Sequence, residues 1–272
     1  ANIAGADPAS GKSKRAAQAA IASKNAQGVF DFSVDIVSDY GNALGRCQMT
    51  ILSKVFDEVA RVCRVKAGTA DHCVRNKAYT MEIEQLGATF PVQYAVSPSQ
   101  AENSRNQIVI KRGGSTGMDI AFVSLNMEAE ACPSDKVLPV FELASRAPRS
   151  GETVIVDGHQ TLLGGVKSSP EGDGLLEVNL SGNAVGIYEG NSGGGTFIVE
   201  NGKIKFAGPL SAKFTSPKYN DRLGLVAADG SVQAWYRQQI GIEPPQFADG
   251  TDTDNSLASA GEGDDHLTGS RF

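Results

Sequence analysis

Apolar and polar residues alternate with a period of two along much of the chain, which is the pattern of half-buried β-strands. In the first half, strands of this kind are predicted at residues 29–37, 47–53, 79–83, 89–96, 108–111 and 120–125. In the second half, they are predicted at residues 153–157, 175–180, 185–188, 196–199, 204–207 and 223–227. Short strands separated by Gly, Pro and Asn turns, such as the turn at 40–42 and the hairpin at Asn201-Gly202, predict an all-β barrel or sandwich.

Two segments depart from this pattern. Residues 56–65 combine helical spacing of apolar residues with a high Val content, so that strand and helix both remain open there. Residues 231–241 begin at a capping residue, Ser231, carry one apolar face and stop at Gly241. We therefore expect one helix near the C-terminus to close a β protein.

The two ends of the chain differ in composition from its body. Residues 1–28 are rich in Ala, Ser and Lys, and we expect an N-terminal arm or pro-segment with a short helix at 14–24. Residues 243–272 are acidic and polar and predict a disordered tail, in which 261–267 resemble a single calcium-binding nonapeptide unit. A single unit has nothing to stack on, so a plain acidic tail is the favoured interpretation. The region between, 29–242, is the predicted folded domain.

Charge and hydropathy exclude two classes of partner. From residue 243 onward seven acids stand against one arginine, which accounts for the whole net charge of −6, so the body is neutral. Lys and Arg are scattered among acids, which argues against a nucleic-acid partner. No run of apolar residues is long enough to predict a membrane span.

One serine lies among glycines in the segment Gly190-Asn191-Ser192-Gly193-Gly194-Gly195. Glycine permits a sharp turn and close approach of other groups to the backbone, so Ser192 is a candidate nucleophile whose neighbouring N–H groups can converge on an oxyanion. The alternative is a surface turn, because Gly, Ser and Asn are also the commonest turn residues.

A serine nucleophile needs a base, and the chain has three histidines. His266 lies in the tail and His159 in a predicted turn, whereas His72 stands beside Cys73, where a crosslink can fix it in place. A base also needs an orienting carboxylate. Asp119 is the acid set deepest in apolar sequence and is our candidate, although it also fits a turn residue at the start of a strand.

The segments around His72, Asp119 and Ser192 occur in the order and approximate spacing of the chymotrypsin-like (trypsin-like) serine proteases, and the chain resembles that family over about residues 29–241. The resemblance implies two six-stranded antiparallel β-barrels with a C-terminal helix. It also implies a serine endopeptidase that forms an acyl-enzyme. Ser192 would be the nucleophile, His72 the general base and Asp119 its orienting group.

The same resemblance assigns further residues. The N–H groups of Gly190 and Ser192 would form the oxyanion hole, and Ser211 would begin the segment that pairs with substrate. The expected partner is a protein or peptide substrate, the expected state is a monomer, and the chemistry requires no metal or organic cofactor.

The chain departs from the family pattern at several positions. Asp71 replaces a small residue before the histidine, and it would raise the pKa of His72 if it were close and ionised, unless it points to solvent. Asn191 replaces the aspartate that pairs with a newly cut N-terminus in many members, so any zymogen would mature differently. Gly186 falls near the position whose aspartate gives trypsin-like enzymes their preference for Arg and Lys, so the resemblance does not imply that preference here. Glu189 and Lys213 lie near the expected rim of the substrate pocket and have no assigned role.

Four cysteines complete the pattern. The resemblance implies a disulfide between Cys47 and Cys73, which leaves Cys63 with Cys132, while the residues alone leave the other pairings open, Cys63 with Cys73 being the main rival. A crosslink beside His72 predicts an oxidising compartment and therefore a secreted or periplasmic protein. The chain begins at Ala1, without Met, which is expected of a mature form whose export signal has been removed.

Two other functions compete with an active protease. A protease-like protein with an impaired site would bind a partner without cleaving it, and the departures at Asp71 and Asn191 favour that interpretation. An α/β-hydrolase esterase would use Ser192 in a nucleophile elbow, but it requires the order Ser, acid, His and would leave only His266 as the base.

Overall fold

The first half of the chain forms one curled antiparallel sheet. The structure is a computed structural model that describes residues 8–39, 44–74, 80–91, 107–113, 118–157, 160–167, 175–213 and 223–241. Its first seven strands are β1 (Val34–Asp39), β2 (Leu44–Asp57), β3 (Val62–Thr69), β4 (Thr80–Ile83), β5 (Ala88–Pro91), β6 (Gln107–Arg112) and β7 (Ala121–Glu128). In the sheet they follow the order β5-β4-β1-β2-β3-β7-β6, and each pair of neighbouring strands is antiparallel.

The second half closes into a barrel. Its strands are β8 (Glu142–Leu143), β9 (Thr153–Asp157), β10 (Thr161–Lys167), β11 (Leu175–Asn179), β12 (Gly195–Glu200), β13 (Lys203–Lys213) and β14 (Leu223–Ala227). Six of them follow the order β12-β9-β10-β11-β14-β13, and pairing of β12 with β13 closes the ring, which removes the free edges. The short β8 adds to β13 in parallel. The all-β double-barrel prediction is confirmed, with seven strands rather than six in the first sheet.

Three predictions about individual strands need correction. Of the predicted strand at 29–37, residues 29–33 are not strand, because β1 begins at Val34 and the N–H groups of Phe32 and Ser33 donate to a side chain instead of a neighbouring strand. Residues 185–188 were predicted as a strand, but they form an irregular loop. The strand β10 was not predicted, because the glycines 164 and 165 interrupt its apolar pattern. Gly164 is required there, since a β-carbon would collide with the side chain of Val178 on β11. The open segment 56–65 is strand at both ends, joined by a turn in which Arg61 has a φ of 55°.

Two helices pack against the barrels. Helix α1 (Pro8–Ala26) is longer than the predicted 14–24 and packs against the second barrel through buried Ala17 and Ala20. Helix α2 (Gly230–Ile240) confirms the predicted C-terminal helix, but its capping residue is Asp229, not Ser231. The Asp229 carboxylate accepts hydrogen bonds from the N–H groups of Ser231 and Val232. No helix within the described ranges is long and apolar enough to cross a membrane.

A chain of aromatic rings fills the junction between the two halves. Phe141 packs 4.8 Å from Phe197, Phe197 packs 6.0 Å from Phe206, and Phe206 packs 5.4 Å from Tyr236 of α2, measured between ring centroids. The Tyr236 hydroxyl reaches the carbonyl oxygens of Thr69 at 3.2 Å and Ala121 at 3.1 Å. These carbonyls mark the end of β3 and the start of β7, so α2 holds two strand ends from the first sheet.

A buried ion pair holds the short 3-10 turn Asp71–Cys73 that follows β3. Asp71 is completely buried, and its two carboxylate oxygens accept hydrogen bonds from Arg112 Nε at 2.6 Å and from an Arg112 terminal nitrogen at 2.9 Å. The alternative that Asp71 points to solvent is therefore wrong. Its negative charge is paired with a guanidinium from β6.

A second buried acid joins the N-terminal part of the chain to the second barrel. Asp157, at the end of β9, accepts hydrogen bonds from the backbone N–H groups of Phe32 at 2.9 Å and Ser33 at 2.6 Å. The Ser33 hydroxyl in turn accepts the N–H of Gly195 at 2.8 Å. Burial raises the pKa of Asp157 to about 7, although these hydrogen bonds act in the opposite direction.

The buried Asp157 carboxyl predicts a specific pH dependence of stability. Its pKa in the folded protein, about 7, lies above the ordinary value of 3.8, so the folded state favours the neutral form. This contribution to the free energy of unfolding is complete below about pH 4 and is lost as the pH rises to about 7. Asp157→Asn keeps an oxygen acceptor for both N–H groups but does not ionise. Urea unfolding at each pH gives the free energy of unfolding of both proteins. Between pH 4 and pH 8, we expect the value for the wild type to fall by roughly a few kcal/mol relative to the value for Asp157→Asn. A constant difference across this range would contradict the assignment.

The Asp71–Arg112 pair predicts a large loss of stability when its cation is removed. Arg112→Ala leaves a fully buried carboxylate without its guanidinium, and we expect a loss of about 2–3 kcal/mol in the free energy of unfolding. The matched control is Arg46→Ala, because Arg46 makes a similar two-point contact with Glu84 with both side chains well exposed. The control is expected to lose less than about 1 kcal/mol. Equal losses in urea denaturation would show that burial of Asp71 carries no special cost.

Candidate active site

His72 and Asp119 are joined by two hydrogen bonds. Asp119 lies just before β7 and His72 in the 3-10 turn after β3, and these neighbouring strands bring the two residues together. The backbone N–H of His72 donates to one Asp119 carboxylate oxygen at 2.9 Å, and His72 Nδ1 lies 2.8 Å from the other. Two contacts from one residue fix the imidazole relative to the carboxylate. If Nδ1 carries the proton, Nε2 is left as a base.

Ser211 makes a third contact with the same carboxylate. Its hydroxyl donates to Asp119 at 2.5 Å, and Ser211 itself is buried on β13. Burial acts to raise the pKa of Asp119, but the hydrogen bond and charge of His72 and the hydrogen bond of Ser211 together hold that pKa below its ordinary value. Asp119 is therefore an anion at neutral pH.

The turn that carries Ser192 is attached to the first barrel beside His72. The N–H of Gln48 on β2 donates to the carbonyl oxygen of Ser192 at 2.7 Å. The carbonyl oxygen of Gln48 accepts the Thr69 hydroxyl at 2.6 Å, and Thr69 is three residues from His72. Gly193 has a φ of 81°, and a β-carbon there would collide with Gln48 and Thr69. Only glycine fits this approach, which brings the serine turn to the strand end before His72.

The backbone donors of the serine turn divide into two groups. The N–H of Asn191 donates to Tyr188, that of Gly193 to Leu210 and that of Gly194 to Asn191, at 3.2, 2.7 and 3.0 Å respectively. Among the described residues, the N–H groups of Gly190 and Ser192 donate to no backbone carbonyl. The two donors that the resemblance assigns to an oxyanion are thus the two that the turn leaves available.

Among the contacts of the described residues, no hydrogen bond joins the Ser192 hydroxyl to His72. Within the described part of the chain, His72 Nε2 instead has the sulfur of Cys73 at 3.8 Å, and its side chain is 37% exposed. The structure therefore assembles His72 with Asp119 and Ser211, and brings the backbone of Ser192 to the same strand end, without closing the last hydrogen bond.

Both disulfides have the pairing that the resemblance implies. Cys47 on β2 is bonded to Cys73 directly after His72, and Cys63 on β3 is bonded to Cys132. The first bond anchors the turn that carries His72 to the strand that contacts Ser192. Cys47, His72 and Cys73 lie close enough together to suggest a metal site, but the two sulfurs are bonded to each other and are not available as thiolate ligands.

The remaining candidates take different positions. Gly186 is buried and Glu189 is exposed, and both lie in the loop before Ser192. Lys213 ends β13. Several predicted features lie outside the described residues, namely His159, His266, the 40–42 turn, the distal part of the 89–96 strand and the 243–272 tail.

Sequence reasoning missed the residues that support the site from a distance. Gln48, Arg112 and Asp157 contact it or the segments that carry it. Of the three, only Asp157 follows an apolar run, residues 154–156, so its position was a readable signal that a buried polar group there needs a partner, although it does not say which partner.

Solved serine proteases share this architecture. The thermostable serine protease AL20 from an extremophilic microorganism matches with a TM-score of 0.51 and 14% identity over 78% of this chain and 96% of its own. The protease Anisep from Arthrobacter nicotinovorans matches with 0.50 and 14% over 79% and 98%. The scabies mite inactivated protease paralogue S-I1 matches with 0.51 and 16% over 78% and 96%.

Neither a protein-family model nor a curated protein matches the sequence itself. The similarity therefore lies in the arrangement of strands and not in the sequence. The chain thus resembles the serine proteases in two separate respects, the double barrel and the order His72, Asp119, Ser192 along the sequence. The chain has the chymotrypsin-like fold of the serine proteases.

Proposed function

We propose that this protein is a serine endopeptidase that hydrolyses peptide bonds through Ser192, His72 and Asp119 and an acyl-enzyme intermediate. The observation that carries the proposal is the Asp119 carboxylate, which is bound by His72 twice and by Ser211 once. An anion in contact with Nδ1 favours the tautomer with its proton on Nδ1 and stabilises the imidazolium that forms when Nε2 accepts a proton. This is the arrangement that a general base for a hydroxyl nucleophile needs.

The chemical steps follow from these positions. His72 Nε2 takes the proton of the Ser192 hydroxyl as its oxygen attacks the scissile carbonyl carbon. The carbonyl oxygen becomes an anion, to which the N–H groups of Gly190 and Ser192 donate. The C–N bond breaks as His72 gives its proton to the leaving amine. Water then repeats the sequence on the acyl-enzyme and restores the Ser192 hydroxyl.

Closure of the Ser192–His72 hydrogen bond is part of the proposal. Catalytic hydrogen bonds are often long in the absence of substrate and tighten in the complex. The Gln48–Thr69 connection limits the distance that the Ser192 backbone must move, because both it and the His72 turn are attached to the same pair of strands. We expect a bound acyl group to complete the contact.

The compartment and maturation are also proposed. Two disulfides support a secreted or periplasmic location, since such bonds persist in oxidising compartments. Helix α1 lies within the proposed 1–28 arm and packs on the second barrel, which is compatible with a pro-segment of a zymogen. The proposed protease domain spans 29–242, and the acidic tail spans 243–272.

A catalytically impaired binding protein is the second candidate. The open Ser192–His72 contact favours it, and one structural neighbour is described as an inactivated protease paralogue. The esterase candidate is excluded, because the fold is all-β and lacks the α/β alternation of that class.

Labelling with a fluorophosphonate probe distinguishes the two remaining candidates. The probe reacts with a serine only when a base activates it, so we expect one label per chain, located at Ser192 by mass spectrometry. Ser192→Ala and His72→Ala are expected to abolish labelling, whereas His266→Ala serves as the control and is expected to retain it. A wild-type protein that stays unlabelled after removal of residues 1–28 would reject the protease and favour the binding protein.

Replacing the orienting group predicts a loss of rate with little loss of binding. In Asp119→Asn, the side-chain amide donates to His72 Nδ1 and so places the ring proton on Nε2, where it blocks base catalysis. We expect kcat to fall by about 10³- to 10⁴-fold at neutral pH. Ser211→Ala removes one hydrogen bond to the same carboxylate, and we expect a fall of about 3- to 30-fold. Similar rates for Asp119→Asn and the wild type in peptide hydrolysis would show that Asp119 does not orient the base.

A further inference from the structure

The serine turn ends at Gly195, and the N–H of this residue is held by a side chain from a distant part of the chain. It donates to the hydroxyl oxygen of Ser33 at 2.8 Å, across a separation of 162 residues. Ser33 directly precedes β1. The glycines before Gly195 donate to backbone carbonyls instead. The Ser33 hydroxyl is therefore a side-chain anchor of the segment that carries Ser192.

Ser33 is itself fixed from both barrels. It is 2% exposed, and its backbone N–H donates to the carboxyl of Asp157, at the end of β9 in the second barrel, at 2.6 Å. Its hydroxyl oxygen lies 3.2 Å from the hydroxyl oxygen of Thr50, on β2 in the first barrel. A buried serine with these two contacts has a defined position, and so does the acceptor that it presents to Gly195.

The two residues that hold Ser33 also confine the serine turn sterically. A β-carbon at Gly194 would collide with the carbonyl oxygen of Asp157, and one at Gly195 would collide with the hydroxyl of Thr50. The backbone of the turn therefore lies directly against these residues, which only glycine permits. The end of the turn is seated where Asp157, Thr50 and Ser33 meet, at the junction of the two barrels.

Loss of the Ser33 hydroxyl has a defined consequence for this backbone. Gly195 is buried, so its N–H would be left without an acceptor in a site from which water is largely excluded. An unpaired buried donor is costly, and the turn is expected to shift until the N–H finds a new partner. Ser192 lies three residues before Gly195, and a displacement of about 1 Å at a reacting group can lower a rate by about 100-fold.

We propose that Ser33 is a positioning residue of the candidate active site: its hydroxyl holds the N–H of Gly195 and thereby keeps the turn that carries Ser192 in place for reaction with His72. The inference rests on the proposed peptidase function. Ser33 acts through the backbone of the serine turn and takes no part in proton transfer. The proposal also gives a role to the segment directly before β1, which two N–H groups fasten to Asp157.

The test is Ser33→Ala in the full chain, with peptide hydrolysis measured per active site titrated by a fluorophosphonate. We expect kcat to fall by about 10- to 100-fold because the turn is displaced, and KM to change by less than about 3-fold because no substrate contact is removed. A residue with a merely structural role would lower the fraction of titratable sites or the urea midpoint and leave kcat per titrated site unchanged. That outcome would overturn the inference.

The matched control is Thr196→Val, directly beside Gly195. Thr196 is completely buried, and its hydroxyl has no hydrogen-bond partner among the described residues, so a side chain of the same shape removes no contact. We expect its kcat to stay within about 2-fold of the wild type. A loss in this control equal to that in Ser33→Ala would also overturn the inference, because any change beside the turn would then be sufficient.

Thr50→Val is a second variant that preserves the shape of the buried site. It removes one contact of the Ser33 hydroxyl and leaves the bond to Gly195 in place, so we expect a smaller fall in kcat, by about 2- to 10-fold. This variant decides the question if Ser33→Ala fails to fold, since an unchanged kcat in Thr50→Val would then overturn the inference.

A measurement that does not need catalysis separates this inference from the proposed function. Hydrogen exchange of the Gly195 amide is expected to be at least about 10-fold faster in Ser33→Ala, and an unchanged rate would show that the hydroxyl does not hold this N–H. Peptide cleavage by the wild type together with an unchanged kcat in Ser33→Ala overturns only the positioning role. A wild-type protein that is neither labelled nor active overturns the peptidase function, and the positioning role with it.

Discussion

The candidate site depends on one partly buried carboxylate with three donors around it. Asp119 receives the His72 backbone N–H, the His72 ring and the Ser211 hydroxyl, and these come from a 3-10 turn and from a strand of the other barrel. The first two donors belong to the first barrel, whereas Ser211 lies on β13 of the second, so the third contact requires both barrels. The same contacts that stabilise the anion therefore place the imidazole at the junction between the barrels.

The surrounding structure fixes the segments that bring these groups together. Tyr236 bonds the strand ends next to His72 and Asp119, and the Asp71–Arg112 pair holds the turn between them. On the opposite side, Gly193 allows the serine turn to approach Gln48 and Thr69 closely. Positioning thus comes from backbone contacts and from buried polar pairs, which depend on direction more strongly than apolar packing does. The Ser192 hydroxyl is the one group of the set that is left without its catalytic contact.

The fold was largely predictable from the sequence, and the reason is physical. Alternating apolar residues identify strands that are exposed on one face, and most of the predicted strands lie where the structure has them. The alternating pattern does not identify a strand where close packing needs a glycine instead of an apolar residue, as in β10, where packing against Val178 requires Gly164. It also fails at 185–188, whose apolar residues line a cavity instead of a sheet.

The site was predictable only in part. The spacing of His72, Asp119 and Ser192 identified candidates through resemblance to a family, and the structure joins the first two directly. The direction of the Asp71 side chain could not be read, because its partner Arg112 lies 41 residues away on β6.

The most direct test of the central claim is a crystal structure of the protein after reaction with a peptidyl phosphonate. We predict a covalent bond from phosphorus to the Ser192 oxygen and one phosphonyl oxygen about 2.7–3.1 Å from the N–H groups of Gly190 and Ser192. We also predict His72 Nε2 within hydrogen-bond distance of the Ser192 oxygen, with Asp119 still on Nδ1. An adduct on another residue, or an adduct on Ser192 with His72 Nε2 beyond about 4 Å from its oxygen, would contradict the assignment of these three residues to one catalytic unit.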